Sequence, residues 1–265
     1  SEPGTQHPFL SDVRVRKALA MATDRDAIAN QLYGPSGAPT CSVLSYPEPL
    51  KSTKHAWGTC PIDIEGAKKL LDEAGWVDSN GNGTRDKDGV EMKMLFQTAA
   101  NALNQKIQEV IKAGWEELGI SVELKAIDAA IHHSSDPGNP DNASKFYADA
   151  EMYANGISAG TAAVIRYMQF WVSTNAASEE NKWTGRNVER YSNPEFDAMY
   201  QELSTMTDEA ARNALAIKMA DLLVDEQVNI PLILRQNVSA QANDLQGVEM
   251  SAASTQTWNI AEWRK

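Results

Sequence analysis

Aromatic and cationic side chains crowd one polar, irregular stretch of this chain. Tyr153, Trp171, Trp183, Arg186 and Arg190 all fall between the last predicted strand of the first half and a clear helix cap at Asn193. Flat rings stack on planar or extended ligands, and guanidinium groups offer forked hydrogen bonds. Trp171 and Trp183 are therefore candidates for ligand contact. The plainer alternative is that both plug this stretch onto a neighbouring sheet. Trp76 and Trp115 fall at a helix end and on a helix's apolar face, and read as structural.

A second candidate is the loop Asp78-Ser79-Asn80-Gly81-Asn82-Gly83-Thr84-Arg85-Asp86-Lys87-Asp88-Gly89. Asp78, Asn80 and Asn82 repeat at the spacing of the first calcium ligands of an EF-hand loop. Thr84 and Asp86 continue the series, and Gly83 stands where the sharp turn falls. The closing position holds Gly89 in place of a bidentate Glu, and Arg85 and Lys87 put positive charge among the ligands. Asn-Gly and Asp-Gly also favour turns by themselves, so a structural turn is preferred over a calcium site. His132-His133 could start a metal site, but no Cys or other His lies near them, and a surface loop is the expected reading.

Covalent catalysis finds little support. A His with an acidic neighbour cannot be picked out, and no Gly-rich phosphate loop follows a strand: Gly81 and Gly83 precede one instead. A hydrolase would need two carboxyl groups facing one cleft, one with a raised pKa. No spacing in the sequence picks out such a pair, so a carboxylate-based extracellular hydrolase stays an alternative. A calcium-stabilised surface module, resting on residues 78–89 alone, is another.

The elements that must position these residues alternate between helix and strand. Ser11 or Asp12 caps a first helix, and Thr23 or Asp24 a second that Gly34 ends. Residues 35–62 carry seven of the chain's breaking Pro and Gly positions and read as a long loop. It contains both cysteines, Cys41 and Cys60, which could staple it or stand as free thiols. Asp63 opens a helix with Ala67, Leu70, Leu71 and Ala74 on one face, stopped by Gly75. A strand over residues 91–96, a helix begun by Asn101 or Asn104, and a strand over 120–125 form a βαβ unit, whose two strands should be parallel. Residues 132–145 read as a surface excursion and 150–153 as a short strand. Helices follow over 161–172, from the Asn193-Pro194 cap, and from Thr207 or Asp208. Residues 230–234 make a closing strand, with Pro231 confining it to an edge or strand start. The fold class is α/β: a mixed sheet with flanking helices including a βαβ unit.

Composition narrows the partners. The chain has 265 residues, 42% of them apolar, enough for a real core. With 24 Lys and Arg against 36 Asp and Glu, the net charge of −12 disfavours nucleic acid and anionic membrane surfaces. No apolar run approaches the ~20 residues needed to cross a bilayer. The opening Ser1-Glu2-Pro3-Gly4-Thr5 has neither a basic nor an apolar region and is not itself a signal peptide.

Five blocks, in order, carry a family likeness. They are Phe9-x-x-Asp12-x-Arg14-Val15-Arg16-x-Ala18-Leu19 with Asp24-Arg25 and Gly34; Ala67-Lys68-Lys69-Leu70-Leu71-x-x-Ala74-Gly75-Trp76; Trp115-x-x-Leu118-Gly119-Ile120-x-Val122; Tyr191-x-Asn193-Pro194-x-x-Asp197; and Ile230-Pro231-Leu232. Together they resemble the family 5 extracellular solute-binding proteins, which deliver peptides, nickel or oligosaccharides to ABC importers. The resemblance implies one lobe of a two-lobed periplasmic-binding-protein fold of type II, with no enzymatic role and no cofactor. The blocks match the family's C-terminal half. Residues 1–265 would then be that lobe, with crossover or hinge remnants near 1–25 and 235–265, and the N-terminal lobe as the missing partner. Importer membrane subunits would be further partners, and an exposed apolar patch near Trp258 and Trp263 would favour a non-native homodimer. An extracytoplasmic location, in the periplasm or at the cell surface, favours a Cys41–Cys60 disulfide over free thiols.

In peptide-binding relatives a Trp and a nearby Asp follow the strand equivalent to residues 149–154, and the Asp pairs with the peptide amine. Here the stretch is Asn155-Gly156-Ile157-Ser158-Ala159-Gly160-Thr161, without either. Asn155, Ser158 and Thr161 would serve as neutral hydrogen-bond groups beside Tyr153, Trp171, Trp183 and Arg186. The expected ligand is an oligopeptide or a similarly extended solute.

Overall fold

A computed structural model describes residues 7–134, 136–153, 161–236, 238–251, 255 and 257–265. Short polar side chains set most helix starts, because each accepts a hydrogen bond from a backbone N–H that the first turn leaves unpaired. Asp12 caps α1 (Val13–Met21), and Asp24 caps α2 (Arg25–Ala27), which continues as a π-helical turn over Ile28–Tyr33. Gly34 ends that turn at φ 55°. Strand β1 (Gly37–Pro39) follows, and Asp63 caps α3 (Ile64–Glu73). Strands β2 (Asp86–Lys87) and β3 (Val90–Glu91) form a small hairpin before β4 (Lys93–Ala99). Asn101 caps α4 (Ala102–Glu117), which leads to β5 (Ser121–Ile127) and α5 (Ala129–His132). Then come β6 (Ala150–Met152), α6 (Thr161–Met168), α7 (Pro194–Thr205) under the Asn193 cap, α8 (Glu209–Asp225) under Asp208, and β7 (Ile233–Arg235).

The βαβ expectation holds: β4 and β5 pair in parallel across α4, and β6 joins the other edge of β4, also in parallel. The two faces of this sheet differ in kind. Alternate residues point to opposite sides. Met94, Phe96 and Val122 meet Ile107, Ile111 and Trp115 of α4 in an apolar core shared with Val15 and Leu19 of α1 and Leu71 of α3. Gly114 lets α4 touch the chain after α1, since a β-carbon there would collide with the Ala22 carbonyl oxygen. Trp115 donates its indole N–H to the Leu19 carbonyl at 3.0 Å. The other face carries Gln97 and Glu151, register partners on β4 and β6, and the segment after α5 folds over it.

A second apolar core is built mainly from helices. Val164 and Met168 of α6, Phe196 and Leu203 of α7, and Met219 and Leu223 of α8 close it, with Trp171. Leu44 and Leu50 from the proline-rich loop also enter it, so that loop is anchored at its middle. Cys41 and Cys60 are disulfide-bonded, with Cα atoms 5.8 Å apart. Two arginines tie the chain's early and late segments together. Arg16 donates to the Glu226 carbonyl at 2.7 Å, and Arg25 to the Pro231 carbonyl at 2.7 Å. Pro231 itself lies just before β7, which pairs antiparallel with β1.

One expectation fails. His132 is not part of a surface loop: its side chain is 1% exposed, at the end of α5, while His133 beside it is exposed. Asp128 caps α5 and turns the chain back towards the polar face of the sheet, which buries the last residue of that short helix.

Candidate functional site

A cleft of about 1650 Å³ runs between the two cores. One wall is the polar side of the sheet with the segment that covers it. The opposite wall is the irregular stretch from Lys182 to Ser192, and the rim includes residues 227–233.

The irregular wall is aromatic and cationic. Trp183 is half-buried, with the Lys145 ammonium 5.6 Å from its ring centre and the Arg190 guanidinium 5.5 Å away. Tyr147 meets the same ring edge-on at 6.0 Å. Arg186 is exposed and lies 5.2 Å over the Phe170 ring. Cations over ring faces are attracted by the ring quadrupole, so this wall presents fixed positive charge on flat apolar surfaces. Its backbone is strained. Phe146, Lys182, Trp183, Arg190 and Gln227 all have left-handed φ between 47° and 61°, and all line the cleft. Non-glycine residues are held in that region at a cost of about 1–3 kcal/mol each, and such strain collects at binding sites.

The sheet wall is acidic. Glu151 projects from the middle of β6 and accepts from Gln97 Nε2 at 2.5 Å. Its other oxygen lies 3.5 Å from His132 Nε2, at an angle that makes no hydrogen bond. Both ring nitrogens of His132 are buried without a hydrogen-bond partner among the described residues. Glu189, on the facing stretch, accepts from Asn229 Nδ2 at 2.8 Å. Burial pushes its carboxyl above the usual range, the Asn229 bond opposes this, and the charge of Glu151 adds to the rise. Asp149 goes the other way. Burial raises it, but hydrogen bonds from His7 Nε2 at 2.9 Å and the Leu95 amide at 2.6 Å outweigh burial and hold it below the usual range. Tyr167 donates to the Val43 carbonyl at 2.9 Å and is pushed up to about 12 by burial and then by Glu189.

Of the residues singled out in the sequence, Tyr153, Trp171, Trp183 and Arg186 all line this cleft. Tyr153 is exposed just past β6. Trp171 is 3% exposed and serves the helical core, against Tyr167 at 5.3 Å, with its indole N–H unpaired among the described residues. Asn155 and Ser158 lie outside the described residues. Thr161 opens α6, and its side chain is likewise outside the description. The oxygens of residues 78–86 are occupied with the loop's own backbone. Asp78 accepts from the amides of Gly81, Asn82 and Gly83, Asn80 from Asn82, Asn82 from Thr84, and Asp86 from Ser79. Sequence reasoning missed Glu151, Glu189 and Lys145, and it set His132 aside as part of a surface loop. Glu151 had a visible signal, as the one charged residue of an otherwise apolar short strand. The others had none.

The model of the bacterial extracellular solute-binding proteins, family 5 middle, matches residues 3–179. The chain belongs to that family. Family 5 proteins bind solutes and do not transform them, and the family is extracellular. The family 5 chain is 26% identical over 243 residues to the glutathione-binding protein GsiB of Escherichia coli K12, covering 92% of itself and 43% of that relative. It is 30% identical over 143 residues to the oligopeptide-binding protein AppA of Bacillus subtilis, covering 51% of itself and 25% of AppA. It spans less than half the length of these curated relatives. The solved structure of AppA from Bacillus subtilis in complex with a nonapeptide superposes with a TM-score of 0.74 at 23% identity, over 97% of this chain and 48% of AppA. NikZ from Campylobacter jejuni in complex with Ni(L-His) gives a TM-score of 0.74 at 19% identity, over 98% and 50%. These likenesses establish the fold, one lobe of the type II periplasmic-binding kind.

Proposed function

We propose that this chain is the C-terminal lobe of an ABC-importer receptor and grips a peptide-like solute against a second, N-terminal lobe. The observation that carries the reading is the cleft itself: about 1650 Å³, with a cation-bearing aromatic wall facing an acidic one. A peptide offers what both walls complement, namely flat amides, terminal charges and extended length. Relatives named for oligopeptide and glutathione binding support the same class.

Trp183, Arg186 and Tyr153 would contact the solute directly, Trp171 would back the cleft, and Asn155, Ser158 and Thr161 would supply neutral hydrogen bonds. Solute bridging two lobes would select the closed receptor through contacts that the open form lacks, and importer membrane subunits would read that closure. Residues near 1–25 and 235–265 would carry the crossover to the other lobe. The exposed Trp258 would lie near that face and could pair two isolated lobes.

Titration calorimetry of this chain with a mixed set of tri- to pentapeptides tests the reading. Weak but saturable heat is expected, because half of the contacts are absent. No heat and no rise in melting temperature with any peptide would overturn it.

A further inference from the structure

We propose that Asn80 is a self-modification site. Its side chain is attacked by the Gly81 amide nitrogen and converted to aspartate and isoaspartate, with water as the one co-reactant. The parts come from the loop of residues 78–89, which the cleft does not use, and nothing in the proposal depends on the receptor reading.

Two asparagine–glycine steps, Asn80-Gly81 and Asn82-Gly83, share one exposed turn. Glycine has no side chain to shield its nitrogen, so the amide carbon of the preceding asparagine can approach it. A Cβ at Gly81 would meet nothing within 4 Å, so the space beside this nitrogen is open to water. The fold of the turn adds two groups. Asp78 Oδ1 accepts the Gly81 N–H at 2.8 Å. A carboxylate already bonded to the nucleophile's hydrogen is placed to take that proton as the attack proceeds. The Asn82 backbone N–H donates to Asn80 Oδ1 at 3.0 Å. Negative charge collects on this oxygen as the ring closes, and the donor is aimed at it beforehand.

The step balances without any oxidant or reductant. A bond forms between Gly81 N and Asn80 Cγ, and the bond from Cγ to Nδ2 breaks. The proton taken from Gly81 passes through Asp78 to Nδ2 and leaves with it as ammonia. Water then opens the resulting succinimide at either carbonyl, giving aspartate or isoaspartate.

The same turn spares Asn82. Much of the arrangement repeats there: Oδ1 accepts from the Thr84 amide at 2.8 Å, and the Gly83 N–H meets Asp78 Oδ2 at 2.9 Å. The difference is the departing group. Asn82 Nδ2 donates to Glu91 Oε1 at 2.7 Å, which pins the amide that must turn and leave. Asn80 Nδ2 has no hydrogen-bond partner among the described residues and turns freely.

The test is to incubate the intact chain in neutral buffer over weeks and map it by mass spectrometry. Trypsin releases residues 70–85 as one peptide holding both asparagines, and its fragment masses show which has become an acid. Asn80 should convert at least about threefold faster than Asn82, and the bias should vanish in urea, where the turn is lost. D78N keeps an acceptor for Gly81 but not a base, and should slow Asn80 by about tenfold. With the base in place, the wild-type rate should vary less than about threefold from about pH 6 to 8, whereas in D78N it should climb with hydroxide. Equal conversion of the two asparagines, or a bias that persists in urea, overturns the site. A D78N rate equal to or above that of wild type overturns the role of Asp78. Should D78N fail to fold, judged by its melting transition, E91A decides: freeing Asn82 Nδ2 should bring its rate to within about twofold of Asn80, and an unchanged ratio overturns the proposal.

Discussion

The two faces of the β5–β4–β6 sheet are built from the same strands and do opposite things. The face towards α4 is sealed by Phe96, Val122 and Trp115, and its polar groups are paired: the Trp115 indole with the Leu19 carbonyl, the Gln108 side-chain amide with the Phe96 carbonyl, and Asn104 with the Thr98 hydroxyl. The face towards the cleft keeps Gln97, Glu151 and His132 out of water without satisfying all of them. One face spends its burial on stability, the other holds polar groups ready. A strand in such a sheet therefore reads as apolar at every second position and as chemistry at the positions between.

Breaking the apolar face should have the largest effect. Trp115→Ala removes a side chain that is 4% exposed together with its indole hydrogen bond to the Leu19 carbonyl, and should cost about 3–5 kcal/mol in urea unfolding. Loss of less than about 1 kcal/mol would show that α4 is not the seal of that face. Away from the sheet, replacing Cys41 and Cys60 by Ser opens a loop spanning 19 residues and should cost about 3 kcal/mol by the same measurement.

On the cleft face the sign should reverse. Glu189→Gln removes a carboxyl whose charge is disfavoured where it sits, and should leave stability at pH 7 within about 1 kcal/mol or raise it. The pH dependence sharpens this. A carboxyl raised above its ordinary 4.5 binds protons more readily folded than unfolded, so Glu189 adds stability as pH falls from its raised value towards 4.5. Asp149, held below 3.8, contributes stability that is lost as pH falls through its lowered value. Wild type should therefore show a relative gain on mild acidification that Glu189→Gln lacks, followed by a shared loss at lower pH. Identical profiles in the two proteins would break the comparison. The smallest effect belongs to the solvent side of α3, where Lys69→Ala removes a 3.9 Å ion pair with Glu73 and should change stability by no more than about 0.5 kcal/mol.

Much of this was legible in the sequence because it is local. Asp12, Asp24, Asp63, Asn101, Asn193 and Asp208 each announce a helix start within three residues, and each caps one in the structure. The βαβ unit followed from short joins and clean periodicity, and its strands are parallel as expected. The aromatic wall was legible in part, since Trp183 and Arg186 stood out in an irregular stretch. The acidic wall was not. Glu151 and Glu189 are 38 positions apart, and only the pairing of β6 with β4 and the fold of the later loop bring them to one space. His132 misled for the same reason: its neighbours in sequence are polar, but its neighbours in space are the underside of a sheet.

The reach of Arg16 to residue 226 and of Arg25 to residue 231 has a mechanical consequence. Each guanidinium is a rivet between segments about 200 positions apart, and one of them, Arg25, is almost wholly enclosed. A pull applied near β7 is passed straight to the first helix, with no slack to take it up. Under the receptor reading proposed above, such a body would swing as a single stiff jaw, its bite set by the angle of the swing and not by flexing within the jaw.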